Sequence, residues 1–283
     1  MLTDPAWTSY LSARQMALST CADPGVAATS IGRAEARLQA YLGMGQEQSQ
    51  AYARRSFLYT SDAVFHDQLL ASGSTDLLRA IVEKTCVDDL SLAEKRTRGV
   101  VAVTLHYGPA TSILPLWLAM ASWRGMIRQV AVIQNSRRNN NVMLSMERHA
   151  KLAACGFPFA DLDIARLGEL ATMRRALAIL RDGGIVLIFA DGQLPQTSAK
   201  RTLTCRLGGG ALVLPQGAEW LARSADVPLL PLLLRPNGDG NRMVSLNARA
   251  PGDARSALQA LIDTAMDFDP APWSRWCCSA THF

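Results

Sequence analysis

Two apolar runs of this chain each end on a residue that can do acid–base chemistry. GVVAVTLHYGPAT, residues 99–111, carries His106 just past a strand-like stretch, and GIVLIFADGQ, residues 184–193, carries Asp191 in the equivalent place. In open α/β sheets, the polar residues beyond the carboxyl ends of parallel strands face one shared crevice. An imidazole placed there can take and return a proton near neutral pH. His106 reads either as a general base or as a structural histidine capping a loop. Asp191 reads as a group that orients His106, as a binder of a substrate hydroxyl or amine, or as the cap of the turn it begins with Gly192.

Other stretches offer supporting chemistry. CRLGGGALVLPQGAEWLA, residues 205–222, has Gly208, Gly209 and Gly210 before an apolar segment. Their backbone N–H groups could approach a carbonyl oxygen or phosphate, or they could be ordinary turn glycines. SRRNNN at 136–141 presents Arg137 and Arg138 after an apparent strand, and the helix-like stretch that follows holds Arg148. The arginines suit a phosphate or an acidic protein helix, against the plainer reading of a solvated loop. Cys155 in LAACGF reads as a packed thiol ahead of the lower-ranked reading as an acyl-bearing nucleophile, and His66 and His282 read as structural or surface residues.

The elements that must position these residues follow from periodicity. Residues 1–95 read as helices, with apolar and small residues at helical intervals from Ile31 to Leu42 and Ser74 capping a turn that runs on through Leu77, Leu78, Ile81 and Val82. From residue 96 onward short apolar strands alternate with helices. Strands are expected at 100–105, 129–134, 184–190, 227–234 and 243–248, and helices at 110–122, 140–154, 168–182, 215–224 and 255–266. Alternation of this kind predicts an α/β fold: a mixed, largely parallel sheet flanked by helices, with the helical N-terminal region packed on it.

Composition narrows the function classes. The chain has 283 residues, 49% hydrophobic and only 19% charged, against about 25% in a typical domain, so the core is large or the surface apolar. Twenty-nine Lys and Arg against 24 Asp and Glu give a net charge of +5 and a pI near 9.0. No dense basic tract or nucleic-acid motif accompanies that bias, which excludes nucleic acid as the expected partner. The six cysteines form no CxxC pair and no metal-ligand spacing, so reduced thiols and no bound metal are expected. MLTDPAWTSYLSARQ lacks the basic start and apolar core of a secretory signal, and no stretch reaches the ~18 apolar residues of a spanning helix. The expected location is the cytoplasm, with at most peripheral contact with the inner membrane.

In order along residues 97–283, the segments HYGPAT, QNSRRNNNVMLSMERHAKLAACG, LRDGGIVLIFADGQ, CRLGGGALVLPQGAEWLARSADVPLLPLLLR and DPAPWSRW resemble the lysophospholipid acyltransferase superfamily, in particular its lipid A biosynthesis acyltransferase branch. That resemblance implies a glycerolipid-acyltransferase-like fold and transfer of an acyl group from a thioester to a hydroxyl. By analogy His106 is the general base, and Asp191 shares the catalytic site with it. Arg137, Arg138, Arg148 and Gln193 shape the substrate site, and amides near Gly208, Gly209 and Gly210 stabilise the oxyanion. No cofactor is expected to be bound. The donor is a phosphopantetheine thioester on an acyl or peptidyl carrier protein, or acyl-CoA.

Three departures mark this chain. The family places Asp or Glu five positions after the histidine, and here that residue is Thr111, which can hydrogen-bond to a substrate but carries no charge. Gly192 separates Asp191 from Gln193, and no stretch of the sequence reads as the branch's N-terminal membrane helix. The first departure matters most, because amidating the carboxylate behind a catalytic histidine lowers kcat by about 10⁴ in the serine-protease triad. Either Asp191 or another carboxylate substitutes, or the reaction needs less base assistance, or the scaffold has lost the chemistry. An α-amine, with a pKa of about 7.7–8.0, is partly neutral already and would suit the second option. The expectation is a soluble acyltransferase of a specialised biosynthetic pathway, moving an acyl or aminoacyl group from a carrier protein to a small hydroxyl- or amine-bearing acceptor. The rivals are a catalytically silent carrier-protein or lipid-binding protein on the same scaffold, and a thioester hydrolase.

Overall fold

A computed structural model describes residues 5–20, 24–72, 74–87, 99–125, 128–134, 152–158, 160–192, 202–238, 240–273 and 276. Four helices lead the chain: α1 (Pro5–Thr20), α2 (Pro24–Leu42), α3 (Gln46–Ser72) and α4 (Thr75–Glu83). The strands β1 (Thr85–Val87), β2 (Val100–Thr104), β3 (Val130–Gln134), β4 (Ala160–Asp163), β5 (Ile185–Phe189), β8 (Leu229–Asn237) and β9 (Gly240–Ser245) form one sheet, in the order β1-β9-β8-β2-β5-β3-β4. Only the β8/β9 pair is antiparallel, so the sheet is mixed and largely parallel, as the alternating pattern predicts.

The central strands are apolar throughout because both faces are covered. VVAVT of β2 is buried at every position, and its alternate residues enter two separate cores. Val101 and Val103 face one, together with α7 (Glu169–Arg181), α8 (Gly217–Ala225) and α9 (Ala254–Phe268). Val100 and Ala102 face the other, with α5 (Ala110–Trp123). Helix α5 carries an apolar run from Ile113 to Ala121 and is buried along that whole length, as expected of a helix that is greasy on every side.

Connectivity singles out one crevice. The chain leaves β2 through α5 toward β3 on one side of the sheet, and leaves β5 through α8 toward β8 on the opposite side. The adjacent strands β2 and β5 therefore send their connections apart at their carboxyl ends, which is the switch point where open sheets bind ligands. Helix α3, 27 residues and about 40 Å long, passes this end: Ala53 lies in one core and Phe65 and Leu69 in the other.

The structure differs from the sequence expectations in four places. The stretch that reads mainly as helices also holds the strand β1, which pairs with β9 at the sheet edge. Strand β4, with the one-turn helix α6 (Ile164–Leu167) after it, has the short polar sequence ADLD and no apolar run to announce it. The last strand runs Gly240–Ser245 rather than 243–248, because its register is set by the turn that pairs Asn237 with Gly240. Finally, β6 (Thr202–Leu207) and β7 (Gly210–Pro215) form a separate antiparallel hairpin where only a glycine loop was foreseen. Cys205, Leu207, Leu212 and Leu214 alternate toward the core, a period of two interrupted by the two-residue turn. The helix expected at 140–154 lies almost wholly outside the described residues. Among the described residues no helix is long and apolar enough to cross a membrane.

The helices α1 and α3 are joined by a buried polar cluster. Arg14 grips Asp62 through two bonds, Nε to Oδ1 at 2.6 Å and Nη2 to Oδ2 at 2.9 Å, and Tyr10 Oη meets His66 Nε2 at 2.8 Å. His66 is fully buried, and burial holds its pKa below the ordinary 6.5 against the opposing pull of Asp62. In the unfolded chain the ring takes its proton near that ordinary value; in the folded protein it does so only at lower pH. The unfolded state thus binds more protons as pH falls through about 6.5, and stability must drop there. Urea unfolding should give a lower free energy at pH 5.5 than at pH 7.5. The difference should shrink in His66→Gln, and an equal difference in both proteins would refute the assignment.

Candidate active site

The sheet register itself brings His106 and Asp191 together. Thr104 of β2 lies beside Phe189 of β5, and the ladder continues one step further, where Ala190 N–H donates to Thr104 O at 2.8 Å. Two residues beyond Thr104 is His106, and two beyond Phe189 is Asp191. Parallel neighbours sit about 4.8 Å apart, so side chains leaving on the same side meet without any adjustment of the backbone.

They do meet. The His106 ring places Nδ1 2.7 Å from Asp191 Oδ1. The backbone N–H of His106 donates to both carboxylate oxygens, at 3.1 Å each, and Trp273 Nε1–H donates to Oδ2 at 2.6 Å. The Asp191 side chain is only 2% exposed, whereas the His106 side chain is 26% exposed. A carboxylate that receives these donors is an acceptor only, so Nδ1 carries the proton and Nε2 keeps its lone pair. Phe189 packs against the ring, centroids 4.8 Å apart, and fixes its plane. This half-buried imidazole, oriented from behind by a buried carboxylate, has the arrangement of a general base.

The loop after β2 is tied down at each step. Gly108 adopts a left-handed φ of +53°, open to glycine at little cost, and its N–H donates to Pro272 O at 2.7 Å. Pro109 stands at the N-cap position of α5, where its missing N–H costs the helix no hydrogen bond. Tyr107 is fully buried, and its hydroxyl donates to Asp269 O at 2.5 Å. Burial, with the Asp269 charge adding to it, drives the Tyr107 pKa far above that of a free phenol, so the hydroxyl remains a donor.

The other sequence candidates divide. Thr111 falls in the first turn of α5, and its side chain lies outside the described set. Arg137, Arg138, Arg148 and Gln193 lie outside the described residues. Gly208, Gly209 and Gly210 are in the β6/β7 hairpin, and here the expected oxyanion role meets a physical obstacle: the Gly209 N–H already donates to Tyr41 O at 3.2 Å. Gly208 has φ +55°, and a Cβ there would sit 2.0 Å from the same carbonyl. The hairpin turn docks on the end of α2, and its glycines serve that close approach. Cys155 accepts through its carbonyl from Arg79 Nη2 at 2.9 Å. Among the described residues no group of three or more His, Cys, Asp or Glu could hold a metal ion.

Trp273 is the member that sequence reasoning missed. A signal existed in DPAPWSRW, because a buried indole N–H requires an acceptor. Nothing local could say that the acceptor was Asp191.

No protein-family model matches the sequence, and no curated protein matches it. Among solved structures, the 1-acyl-sn-glycerophosphate (LPA) acyltransferase PlsC from Thermotoga maritima superposes with a TM-score of 0.37 at 13% identity, covering 86% of this chain and 94% of that chain.

Replacing Asp191 with Asn leaves one oxygen where two now accept, so an amide N–H must face either His106 Nδ1 or the Trp273 indole. We expect Asp191→Asn to cost about 1–3 kcal/mol in urea unfolding and to move the neutral-ring proton toward Nε2, read from the ¹⁵N shifts of His106. A wild-type ¹⁵N pattern in that variant would contradict the geometry. Gly208→Ala should cost about 1–3 kcal/mol by strain and overpacking yet leave the His106 signature untouched; a changed signature would reinstate the hairpin glycines in the site.

Proposed function

We propose that this chain is an acyltransferase that moves an acyl or aminoacyl group from a carrier-protein thioester to a small hydroxyl- or amine-bearing acceptor. His106 is its general base and Asp191 its orienting partner. The observation that carries the reading is the 2.7 Å contact between His106 Nδ1 and Asp191 Oδ1 at the switch point of the sheet. It answers the departure at Thr111: a carboxylate does stand behind the histidine, supplied by the neighbouring strand. The ordered motifs along residues 97–283 support acyl transfer as the reaction.

In this mechanism the acceptor's O–H or N–H donates to His106 Nε2 and attacks the thioester carbonyl carbon while its proton passes to Nε2. Asp191 stabilises the imidazolium through Nδ1–H. The carbonyl oxygen becomes an oxyanion. The N–H groups of Tyr107, Gly108 and Ala110 are already engaged, and the first-turn amides of α5 at residues 111 and 112 have no acceptor within their own helix, so they are the donors that suit the oxyanion in this reading. Collapse of the tetrahedral intermediate expels the carrier thiolate, which recovers the proton from Nε2 and leaves as the thiol. With Asp191 in place, the pair can assist an alcohol as well as an amine, so a weakly assisted amine is not required by the chemistry.

Purified protein should be incubated with acyl- and aminoacyl-carrier proteins and hydroxyl or amine acceptors, with products detected by mass. His106→Ala should lower turnover by about 10²–10⁴-fold while retaining the fold, and undiminished turnover would overturn the reading. Release of free acid independent of any acceptor would mark a hydrolase. No turnover over the whole panel would favour the silent scaffold.

A further inference from the structure

We propose that Trp273 is a positioning residue for the His106–Asp191 pair, and that residues 269–273, braced by Trp276, set the geometry of the base from outside the sheet. Trp273 is fully buried, and its Nε1–H donates to Asp191 Oδ2 at 2.6 Å. The His106 backbone N–H bridges both carboxylate oxygens at 3.1 Å each, and both of those bonds come from the histidine's own residue. The indole adds a shorter bond to Oδ2 from a different part of the chain, so Oδ1 on His106 Nδ1 and Oδ2 on Trp273 hold the carboxylate plane from two sides. That fixed plane holds the proton on Nδ1 and leaves Nε2 as the basic nitrogen.

The same segment also holds the other half of the pair. Pro272 O receives the Gly108 N–H at 2.7 Å, and Asp269 O receives the Tyr107 hydroxyl, so the residues flanking His106 and the carboxylate behind it are fastened to one short stretch. That stretch is itself braced. Trp276 stands edge-on to Trp273 at 5.6 Å and donates through Nε1 to Pro270 O, while Asp269 is paired with Arg55 of α3 at 2.7 Å. The Trp276 indole N–H is committed to Pro270 O, whereas that of Trp273 goes to the carboxylate, which makes Trp276 the natural control.

The assignment deepens the reading of His106 as a base, but its principal readout does not depend on catalysis. In Trp273→Phe the ring remains and the N–H is lost. The ¹⁵N shifts of His106 at a pH where the ring is neutral should change from one dominant Nδ1–H form to a mixture with Nε2–H. Where a reaction has been found, kcat should fall about tenfold or more with KM little changed, since sub-ångström misplacement acts on the chemical step. Trp276→Phe removes an indole N–H from the same segment and should lower Tm with the His106 signature unchanged. A folded Trp273→Phe with the wild-type tautomer pattern, or a Trp276→Phe that alters it equally, overturns the proposal. Should Trp273→Phe fail to fold, the wild-type protein decides. The assigned Trp273 indole N–H resonance should move as His106 protonates and stop doing so in His106→Gln, and an indole signal indifferent to His106 rejects the assignment. A changed tautomer in a protein with no turnover on any substrate would leave this inference standing and remove the acyltransferase reading.

Discussion

Burying a carboxylate away from water costs several kcal/mol unless enough donors replace the lost hydration, and Asp191, with its side chain 2% exposed, is the group that imposes this requirement here. Its donors come from the loop after β2 and from the segment after α9. The chain must therefore bring residues 106, 191 and 273 to one point, and much of the architecture can be understood as the means of doing so. Register between β2 and β5 delivers the first two, and the end of α9 delivers the third.

The surrounding fold keeps that point both rigid and reachable. Two apolar cores, one on each face, leave β2 and β5 no freedom to slide, because a one-residue slip would exchange their inward sets between faces. The His106 side chain alone of the pair reaches partly toward solvent. Helix α3 passes the same end of the sheet, tied by Arg55 to Asp269 and by its Asp62 to Arg14 of α1. The helical N-terminal region thus meets the His106–Asp191 end of the sheet through ordinary ion pairs and packing, and it brings a buried titratable group, His66, of its own.

Chemical consequences follow from the location of the carboxylate. In the family that the motifs resemble, the acid stands five residues after the histidine on the same loop; here a neighbouring strand supplies it. An acid on a neighbouring strand is held by the sheet and by a tryptophan rather than by one loop's conformation. Position 111 is thereby released from carrying a charge.

The strand ends are legible in the sequence because burial on both faces writes itself as continuous apolar runs: VVAVTL and GIVLIFA place His106 and Asp191 just past two strands, which stop one residue short of the end of each run. The parallel, helix-covered sheet was legible for the same reason. Strand β4 was not, being short and polar, and the β6/β7 hairpin was obscured by reading Gly208–Gly210 for chemistry instead of as the interruption in an alternating pattern. Composition and local periodicity by themselves determined which residue types stand at the ends of which elements. Only the tertiary structure decided that His106 meets Asp191 across 85 residues and that Trp273 meets Asp191 across 82. The reason is physical: a local pattern fixes which face a side chain leaves from, whereas its partner is set by strand order, register and the packing of helices between them.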